Sequence, residues 1–336
     1  MYKVPLAQPD VGELERNLLI DAFDNKHFTT GKIVKQFEDE LAKFIGVKHV
    51  IAVNSGSSAL LLAWDALLSL NSFNTSIDVK IPALNYISDV AVLHKLDIPY
   101  RMVDVDEESN YPVHVMGVPY GNPRDVLVED CCESLGTKGT GKLGLVSTHS
   151  FFTSHIITTG EGGACATNND EVADRIRSMR AFGRDFTSVP YKPYDFPVAG
   201  YSMKLTDLQA AIGVGQMAHI HENLASRRRI ADRLYNDVDW NDIRYPAYVY
   251  DEGIVNFGFP IYSSSPWSDV AYLEERGIET RPLLCYLPEQ KFCKTDTDYP
   301  HAHAIHDHSY FIGCHQTYTD EQVDYLVEVL GELNND

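Results

Sequence analysis

Hydrophobic positions along the chain follow two periods, one typical of amphipathic helices and one of buried strands. Helical spacing extends over residues 10–23, 34–45, 59–70, a stretch after 170, a stretch from 206, 222–235 and 319–333. Short continuous apolar runs, which indicate buried strands, occur at residues 49–53, 79–81, 100–105, 113–118, 126–129, 146–150 and 163–166. Strands that alternate with helices predict an α/β fold with a doubly wound, mostly parallel sheet.

The pattern changes from about residue 240, where short strands and proline-rich turns replace the regular alternation. We therefore predict two domains: a large domain over residues 1–238 and a smaller C-terminal α+β domain over residues 239–336.

Charge and composition narrow the classes of function. The 336 residues carry a formal net charge of −20, which repels nucleic acid and anionic membrane surfaces. No run approaches the roughly 18 apolar residues of a membrane span, and the six cysteines show no CxxC spacing. We expect a cytoplasmic protein with reduced thiols, without a metal site and without nucleic-acid or membrane partners.

Two short motifs follow predicted strands and are candidates for ligand binding. The first, Ser55-Gly56-Ser57-Ser58, lies at a strand-to-helix junction, where backbone N–H groups and the helix dipole favour a phosphate; a simple polar helix cap is the alternative. The second, Glu129-Asp130-Cys131-Cys132-Glu133, follows an apolar strand at the sheet edge where open α/β sheets bind ligands. Asp130 is placed there to meet a cation, unless it is a solvated loop acid.

A third motif begins with Ser150-Phe151, contains His155 and ends with Thr158-Thr159-Gly160-Glu161-Gly162-Gly163. With this motif the chain resembles the DegT/DnrJ/EryC1/StrS family of sugar aminotransferases, whose members carry all three motifs in the same order. Further matches run along nearly the whole chain: Phe37-Glu38, Pro82, Asp104-Val105-Asp106, Gly200-Tyr201, Thr206–Gly213 and Arg281-Pro282.

The resemblance implies the type I fold of enzymes that use pyridoxal phosphate (PLP), with a large domain built on a mostly parallel seven-stranded sheet. It implies that Asp130 pairs with the pyridinium nitrogen and that Glu133 approaches the 3-hydroxyl. Further cofactor contacts are implied for Gly56, Ser57, Ser58 and Ser150 at the phosphate, for Tyr86 and Cys132 on the two ring faces, and for Ser202 and Lys204 at the neighbouring subunit's phosphate. The last two imply a homodimer with shared active sites. The chain departs from the family at Ser202, where an Asn is usual, and in residues 106–126, which are much shorter than the family's segment, as though crossover-helix material were missing.

The chain departs from the family at His155, which occupies the position of the cofactor-binding lysine. An imidazole cannot hold the aldehyde covalently, but it exchanges a proton near neutral pH. The substitution resembles a branch of nucleotide-sugar 3-dehydratases, which implies C3 deoxygenation of a nucleotide-linked 4-keto sugar by non-covalently held PLP and pyridoxamine phosphate (PMP), with L-glutamate as amino donor. Residues 186–201 lack the cysteines with which a related dehydrase holds an iron–sulfur cluster.

Two alternatives to the dehydratase remain. The first is a sugar aminotransferase in which His155, Lys138 or Lys142 is the base. The second is an inactive homologue that still binds the cofactor.

Three other patterns have simpler interpretations. The GxGxxG pattern at 139–144 precedes a strand rather than a helix, which argues against a dinucleotide site. The four histidines at 301, 303, 306 and 308 indicate an exposed polar turn rather than a metal site. The run Arg227-Arg228-Arg229 indicates a solvated helix face, or a contact to a diphosphate.

Overall fold

The computed structural model describes residues 2–70, 78–185 and 194–335. The helices in these ranges are α1 (Glu13–Asp24), α2 (Lys32–Ile45), α3 (Gly56–Ser69), α4 (Ile87–Lys95), α5 (Asp170–Arg180), α6 (Asp207–Ala218), α7 (Ile220–Asp237), α8 (Pro266–Glu275), α9 (Pro300–His308) and α10 (Asp320–Asn335). The strands are β1 (His49–Val53), β2 (Val79–Pro82), β3 (Leu84–Asn85), β4 (Tyr100–Val103), β5 (Val128–Asp130), β6 (Val146–Ser150), β7 (Gly163–Thr167), β8 (Arg244–Pro246), β9 (Gly258–Ser263), β10 (Thr280–Pro282), β11 (Cys285–Tyr286) and β12 (Ser309–Gly313). Every helix that the periodicity predicts is present, and α4, α8 and α9 are additional.

Local sequence sets several helix ends. Thr206 caps α6 in a reciprocal arrangement, in which its hydroxyl accepts from the Gln209 N–H and the Gln209 side chain accepts from the Thr206 N–H, each at 3.2 Å. Asn169 caps α5 by accepting from the Val172 N–H at 3.1 Å. Gly46 ends α2 in the left-handed conformation, with φ of 80°.

The main sheet is mixed rather than mostly parallel. A four-stranded part has the order β1-β7-β6-β5, in which only the β5–β6 pair is parallel; β2 and β4 form a separate parallel pair. β7 runs antiparallel to β6 because residues 151–162 return the chain without a crossover helix, which a parallel neighbour requires.

The strand predicted at 113–118 is much shorter in the structure. Only Val113 pairs with Asp130, and Val115–Gly117 form a short 3₁₀ turn. Met116 and Gly117 both have left-handed backbones, and a Cβ on Gly117 would lie 2.0 Å from the Val255 carbonyl oxygen. This close approach ends the strand and presses the connection against the 255 segment.

Helix α3 is the centre of the largest hydrophobic cluster, in which Leu60, Leu62, Ala63, Trp64 and Leu67 are buried. Because α3 is apolar on nearly every side, it packs against the sheet and against α4 and α5 at once. The helix therefore lies fixed inside the large domain, with its N-terminus at the carboxyl end of β1.

A second sheet, β10-β12-β9-β8, is antiparallel and packs with α8 and α10 in a separate cluster. Helix α7 contributes to two clusters, through Ile220 and Leu224 at its start and through Ile230 and Leu234 further along. Val4 from the N-terminus packs in the same cluster as the C-terminal sheet. The boundary between residues 238 and 239 stays a prediction.

The structure corrects two of the simpler interpretations. The four histidines do not form a turn, because Pro300–His308 are helix α9, with His303 stacked on Tyr286 at 4.7 Å between ring centroids. Arg227 is not solvated: its guanidinium is buried and donates to the carbonyls of Asn256, Phe257 and Cys314 and to the Gln316 side chain.

We expect Arg227→Met to lower the free energy of unfolding by about 3 kcal/mol, because four acceptors lose a charged donor. Arg229→Met is the matched control from the same run, since its ion pair with Asp320 is largely exposed and such pairs contribute about 0–1 kcal/mol. Urea denaturation followed by circular dichroism measures both changes. Equal losses in the two variants would contradict the structural role of Arg227.

Candidate active site

A cavity of about 390 Å³ opens where β1, β5 and β6 end, and it collects most of the residues that the sequence motifs predict. The predicted residues in its lining are Gly56, Ser57, Tyr86, Asp130, Cys132, Glu133, Ser150 and His155. The three motifs therefore meet at one place, as strand ends at a common sheet edge do.

One end of the cavity is the N-terminus of α3. Ser55 caps this helix by accepting from the Ser58 N–H at 3.1 Å, and its hydroxyl lies 2.9 Å from the Ser58 hydroxyl. Ser58 is thus engaged in the cap and is not in the cavity lining. A Cβ on Gly56 would lie 2.8 Å from Ser150 Cβ and 3.1 Å from Cys132 Sγ, so only glycine lets the helix end approach these residues.

Asp130 supplies a carboxylate to the same cavity. Its backbone is fixed by two bonds, from its own N–H to the Pro112 carbonyl at 2.9 Å and from the His114 N–H to its carbonyl at 3.2 Å. Its Oδ1 accepts from the Cys132 N–H at 2.7 Å. A helix N-terminus and a buried carboxylate in one cavity suit a ligand that is anionic at one end and cationic at the other.

The neighbouring Glu129 points away from the cavity and organises the loop before β6. Its buried carboxylate accepts from the Gly141 N–H at 2.6 Å, the Leu143 N–H at 2.8 Å and His114 Nε2 at 3.0 Å. Burial raises the pKa of Glu129, but the His114 and backbone hydrogen bonds outweigh burial and lower it below its ordinary value. The glycine-containing loop at 139–144 therefore binds the Glu129 carboxylate of the same chain through its backbone N–H groups, and it leads into strand β6.

His155 lies in the loop between β6 and β7, where its ring packs against Phe257 at 5.1 Å between centroids and against Phe152 at 6.4 Å. Its Nδ1 is buried and makes no hydrogen bond within the described protein. Desolvation and, to a smaller extent, the positive charge of Arg227 together lower the pKa of His155 to about 4. The imidazole is therefore neutral at neutral pH, with a ring nitrogen able to accept a proton.

Two more predicted side chains are held at the cavity wall. Glu133 accepts from the Met116 N–H at 2.7 Å, and its pKa is raised to about 7 by desolvation and by the nearby Asp130 charge. Tyr86 caps α4 at the cavity mouth with 57% of its surface exposed, where an aromatic ring is available for stacking on a planar ligand.

Ser202 and Lys204 do not reach the cavity. Both are exposed, and Lys204 Nζ lies over the Phe182 ring, 5.3 Å from its centroid. The alternative bases also lie elsewhere, since the Lys138 side chain packs at Gly253 and Lys142 Nζ lies near Gly46. Within the described part of the chain, no lysine lines the cavity.

Several residues of the site were not predicted. His114, Ser154, Glu161 and Phe257 line the cavity. Glu161 lies inside a quoted motif and could have been identified from it. Phe257 comes from a distant part of the sequence, and no local pattern indicates its place.

These features fit PLP. The cavity offers a helix N-terminus for a phosphate, a carboxylate for a pyridinium nitrogen and an aromatic side chain for stacking, and the close packing at Gly56 forms a cradle that a Cβ would fill.

The sequence profile described as the DegT/DnrJ/EryC1/StrS aminotransferase family matches residues 9–115 and 125–331. The chain belongs to this family. Membership confirms the predicted family, the α/β type I fold and the class of PLP enzyme. Within the described residues, no helix has the length and apolar character needed to cross a membrane.

Two relatives of similar identity carry different kinds of name. The chain is 28% identical to the GDP-perosamine synthase of Caulobacter vibrioides, over 98% of each chain. It is also 28% identical to the GDP-4-keto-6-deoxy-D-mannose 3-dehydratase of Yersinia pseudotuberculosis, again over 98% of each. One relative is therefore named as a synthase of an amino sugar and the other as a dehydratase.

Solved structures show the same fold. The E coli GDP-4-keto-6-deoxy-D-mannose-3-dehydratase with bound hydrated PLP superposes with a TM-score of 0.88 at 25% identity, covering 98% of this chain and 100% of that chain. The sugar aminotransferase CalS13 from Micromonospora echinospora gives a TM-score of 0.87 at 21% identity, covering 98% and 99%.

We expect the cofactor-free protein to lose stability as the pH falls from about 6.5 to about 4. Desolvation lowers the folded-state pKa of His149 and His155 to about 4 and that of His315 to about 3, so these three side chains bind more protons in the unfolded chain in this window. The raised folded-state pKa values of Glu133 and Asp89 offset part of this difference. Each histidine contributes a slope of up to about 1.4 kcal/mol per pH unit. Urea denaturation at a series of pH values measures the slope.

His155→Asn should reduce the dependence of unfolding free energy on pH by the contribution of one histidine, up to about 1.4 kcal/mol per pH unit. His301→Asn is the control, because the Asp106 side chain raises the pKa of His301 and its loss should not reduce the acid sensitivity. An unchanged slope in His155→Asn would show that this histidine titrates normally.

Proposed function

We propose that the protein is a 3-dehydratase of a nucleotide-linked 4-keto sugar that uses PLP and PMP without a covalent bond and takes its amino group from L-glutamate. One observation carries this proposal: among the described residues, the cavity lining contains His155 and no lysine. A site that lacks a lysine cannot retain the aldehyde covalently but keeps a base beside it.

The residues around the cavity have complementary roles in this proposal. Gly56, Ser57 and Ser150 hold the phosphate, and Ser58 fixes the helix end through its bonds to Ser55. Asp130 holds the pyridine nitrogen in its protonated form. Tyr86 and Cys132 enclose the ring, and Glu133, with its pKa of about 7, faces the 3-hydroxyl.

When bound, the cofactor supplies an amine for the keto sugar and a ring that accepts electrons. His155 takes and returns the proton at the C4′ carbon, and the Arg227 charge helps to keep the imidazole unprotonated for this purpose. The sugar loses its C3 hydroxyl, and the net products are a 3-deoxy sugar, ammonia and 2-oxoglutarate.

An aminotransferase is the second candidate, favoured by the perosamine synthase among the relatives. In that case nitrogen stays on the sugar and the C3 oxygen is retained. An inactive cofactor-binding homologue is the third candidate, and it would show no glutamate half-reaction.

We expect a panel of 4-keto nucleotide sugars, incubated with the protein, PLP and L-glutamate, to yield a product that has lost one oxygen and gained no nitrogen. His155→Asn should slow this reaction about 10²–10⁴-fold, the usual contribution of a general base, while cofactor affinity changes little. Mass spectrometry of the products and equilibrium dialysis of PLP measure the two effects. An amino sugar as product would replace the proposal with the aminotransferase.

Covalent trapping provides the control for the missing lysine. Borohydride treatment of the PLP-loaded protein should leave no cofactor attached, whereas His155→Lys should become labelled and lose most deoxygenation. A reduced adduct in good yield on Lys138, Lys142 or another single lysine of the unaltered protein would contradict the assignment of His155.

We also propose a homodimer with shared active sites, since Ser202 and Lys204 are exposed outside the cavity of their own chain. In a two-fold symmetric dimer each such surface can face the partner's site.

Mixing two inactive variants tests this arrangement. If Lys204→Glu and His155→Asn are each inactive, then unfolding and refolding the two together should restore about a quarter of the native activity, because one site of each hybrid dimer carries neither substitution. Each variant refolded alone is the control. Absence of any recovery, with hybrid dimers shown by native mass spectrometry, would place Lys204 in its own chain's site or outside the mechanism.

A further inference from the structure

A second carboxyl group, that of Asp89, lies against Asp130 but does not line the cavity. Asp89 is in the first turn of α4, and its side chain is fully buried. Its Oδ1 accepts a hydrogen bond of 2.7 Å from the hydroxyl of Tyr111. Its Oδ2 is buried and has no hydrogen-bond donor among the described residues. The Asp89 carboxyl group interacts with that of Asp130. The backbone brings the two residues together, because Tyr111 directly precedes Pro112, whose carbonyl accepts from the Asp130 N–H at 2.9 Å.

Among the described residues, Asp89 has no ion-pair partner that could balance two carboxylates. The titratable groups that interact with it are Tyr111, Asp130 and the Cys132 thiol, and Asp89 forms no ion pair with a lysine, arginine or histidine among the described residues. Helix α3 adds only the buried indole of Trp64, whose ring centroid is 5.1 Å from that of Tyr111.

Two neighbouring ionised carboxylates in a buried site repel each other strongly. Burial, followed by the charge of Asp130, holds the pKa of Asp89 well above its ordinary value. Because Tyr111 already donates to Oδ1, the proton of a neutral Asp89 belongs on Oδ2, where its acceptor is Asp130.

We propose that Asp89 is a positioning residue for Asp130: the two side chains share one proton, which Asp89 Oδ2 donates to Asp130 while Tyr111 holds Asp89 Oδ1. Asp130 then receives hydrogen bonds from two directions, from Asp89 and from the Cys132 N–H. Hydrogen bonds to a carboxylate favour its charged form. In the proposed function, on which this consequence rests, the arrangement keeps the proton on the pyridine nitrogen of the bound cofactor.

The shared proton is measurable in the protein without cofactor, and this first test does not depend on the proposed function. Infrared spectra of protein that contains aspartate labelled with ¹³C at the side-chain carboxyl report protonated aspartates and leave Glu133 unshifted. At pH 7 the unaltered protein should show one isotope-shifted band of a protonated carboxyl group, and Asp89→Asn should lose it. A missing band in the unaltered protein, or a band that persists in Asp89→Asn, would overturn the shared proton.

The hydrogen bond is tested with two substitutions of similar size. Asp89→Asn keeps an acceptor for Tyr111 and an amide donor for Asp130, whereas Asp89→Leu keeps neither. With ¹⁵N-labelled PLP bound, the pyridine nitrogen resonance should match that of the unaltered protein in Asp89→Asn and should shift toward the deprotonated position in Asp89→Leu. The glutamate half-reaction should slow about 10- to 100-fold in Asp89→Leu, the loss expected for one hydrogen bond to a charged group.

A third variant guards against misfolding of Asp89→Leu. Tyr111→Phe removes only the hydroxyl that orients Asp89, so it should shift the nitrogen resonance in the same direction by a smaller amount. If Asp89→Leu and Tyr111→Phe both bind PLP with an unchanged nitrogen resonance, Asp89 does not position Asp130. Failure of the proposed dehydratase activity, by contrast, would leave the infrared band and the nitrogen resonance as expected.

Discussion

The close approach of three chain segments at Gly56 is the constraint on which the candidate site depends. The N-terminus of α3 comes against Ser150 at the end of β6 and against Cys132 in the turn after β5, with room for a hydrogen atom but not for a Cβ. This packing fixes the positive end of a helix dipole at a set distance from Asp130. The backbone therefore sets where a phosphate can bind relative to the Asp130 carboxylate, which would meet a ring nitrogen.

The sequence predicted the cavity well because its motifs follow strand ends, and strand ends share a sheet edge. Eight of the eleven predicted site residues line the cavity. The other three differ for identifiable reasons. Ser58 is taken up by the helix cap, and Ser202 and Lys204 lie on the surface, where their proposed partner is another chain.

What the sequence could not predict depends on contacts between distant residues. The antiparallel direction of β7 follows from a return loop without a helix, and the burial of Arg227 follows from carbonyls about 30 and 87 residues further along the chain. Asp89 is a single acid in an apolar helical stretch. Its importance emerges only when Tyr111 and Asp130 are seen beside it. The hydrophobic periodicity of a short segment contains no information about contacts between residues that are distant in the sequence.

Changes in the short connection between β4 and β5 can alter part of the cavity wall and leave Asp130 in place. The family profile matches on both sides of residues 116–124. The entropic cost of closing a loop grows only logarithmically with its length, by about 0.6 kcal/mol for each doubling. Asp130 is held by its pairing in the β5–β6 register and by hydrogen bonds to the backbone of Pro112 and His114, which lie early in this connection. The same connection supplies Val113, His114 and the Met116 N–H that holds Glu133. Insertions or deletions at residues 116–124, after the residues that bond Asp130, can therefore reshape one wall of the cavity during evolution while the Asp130 carboxylate keeps its place.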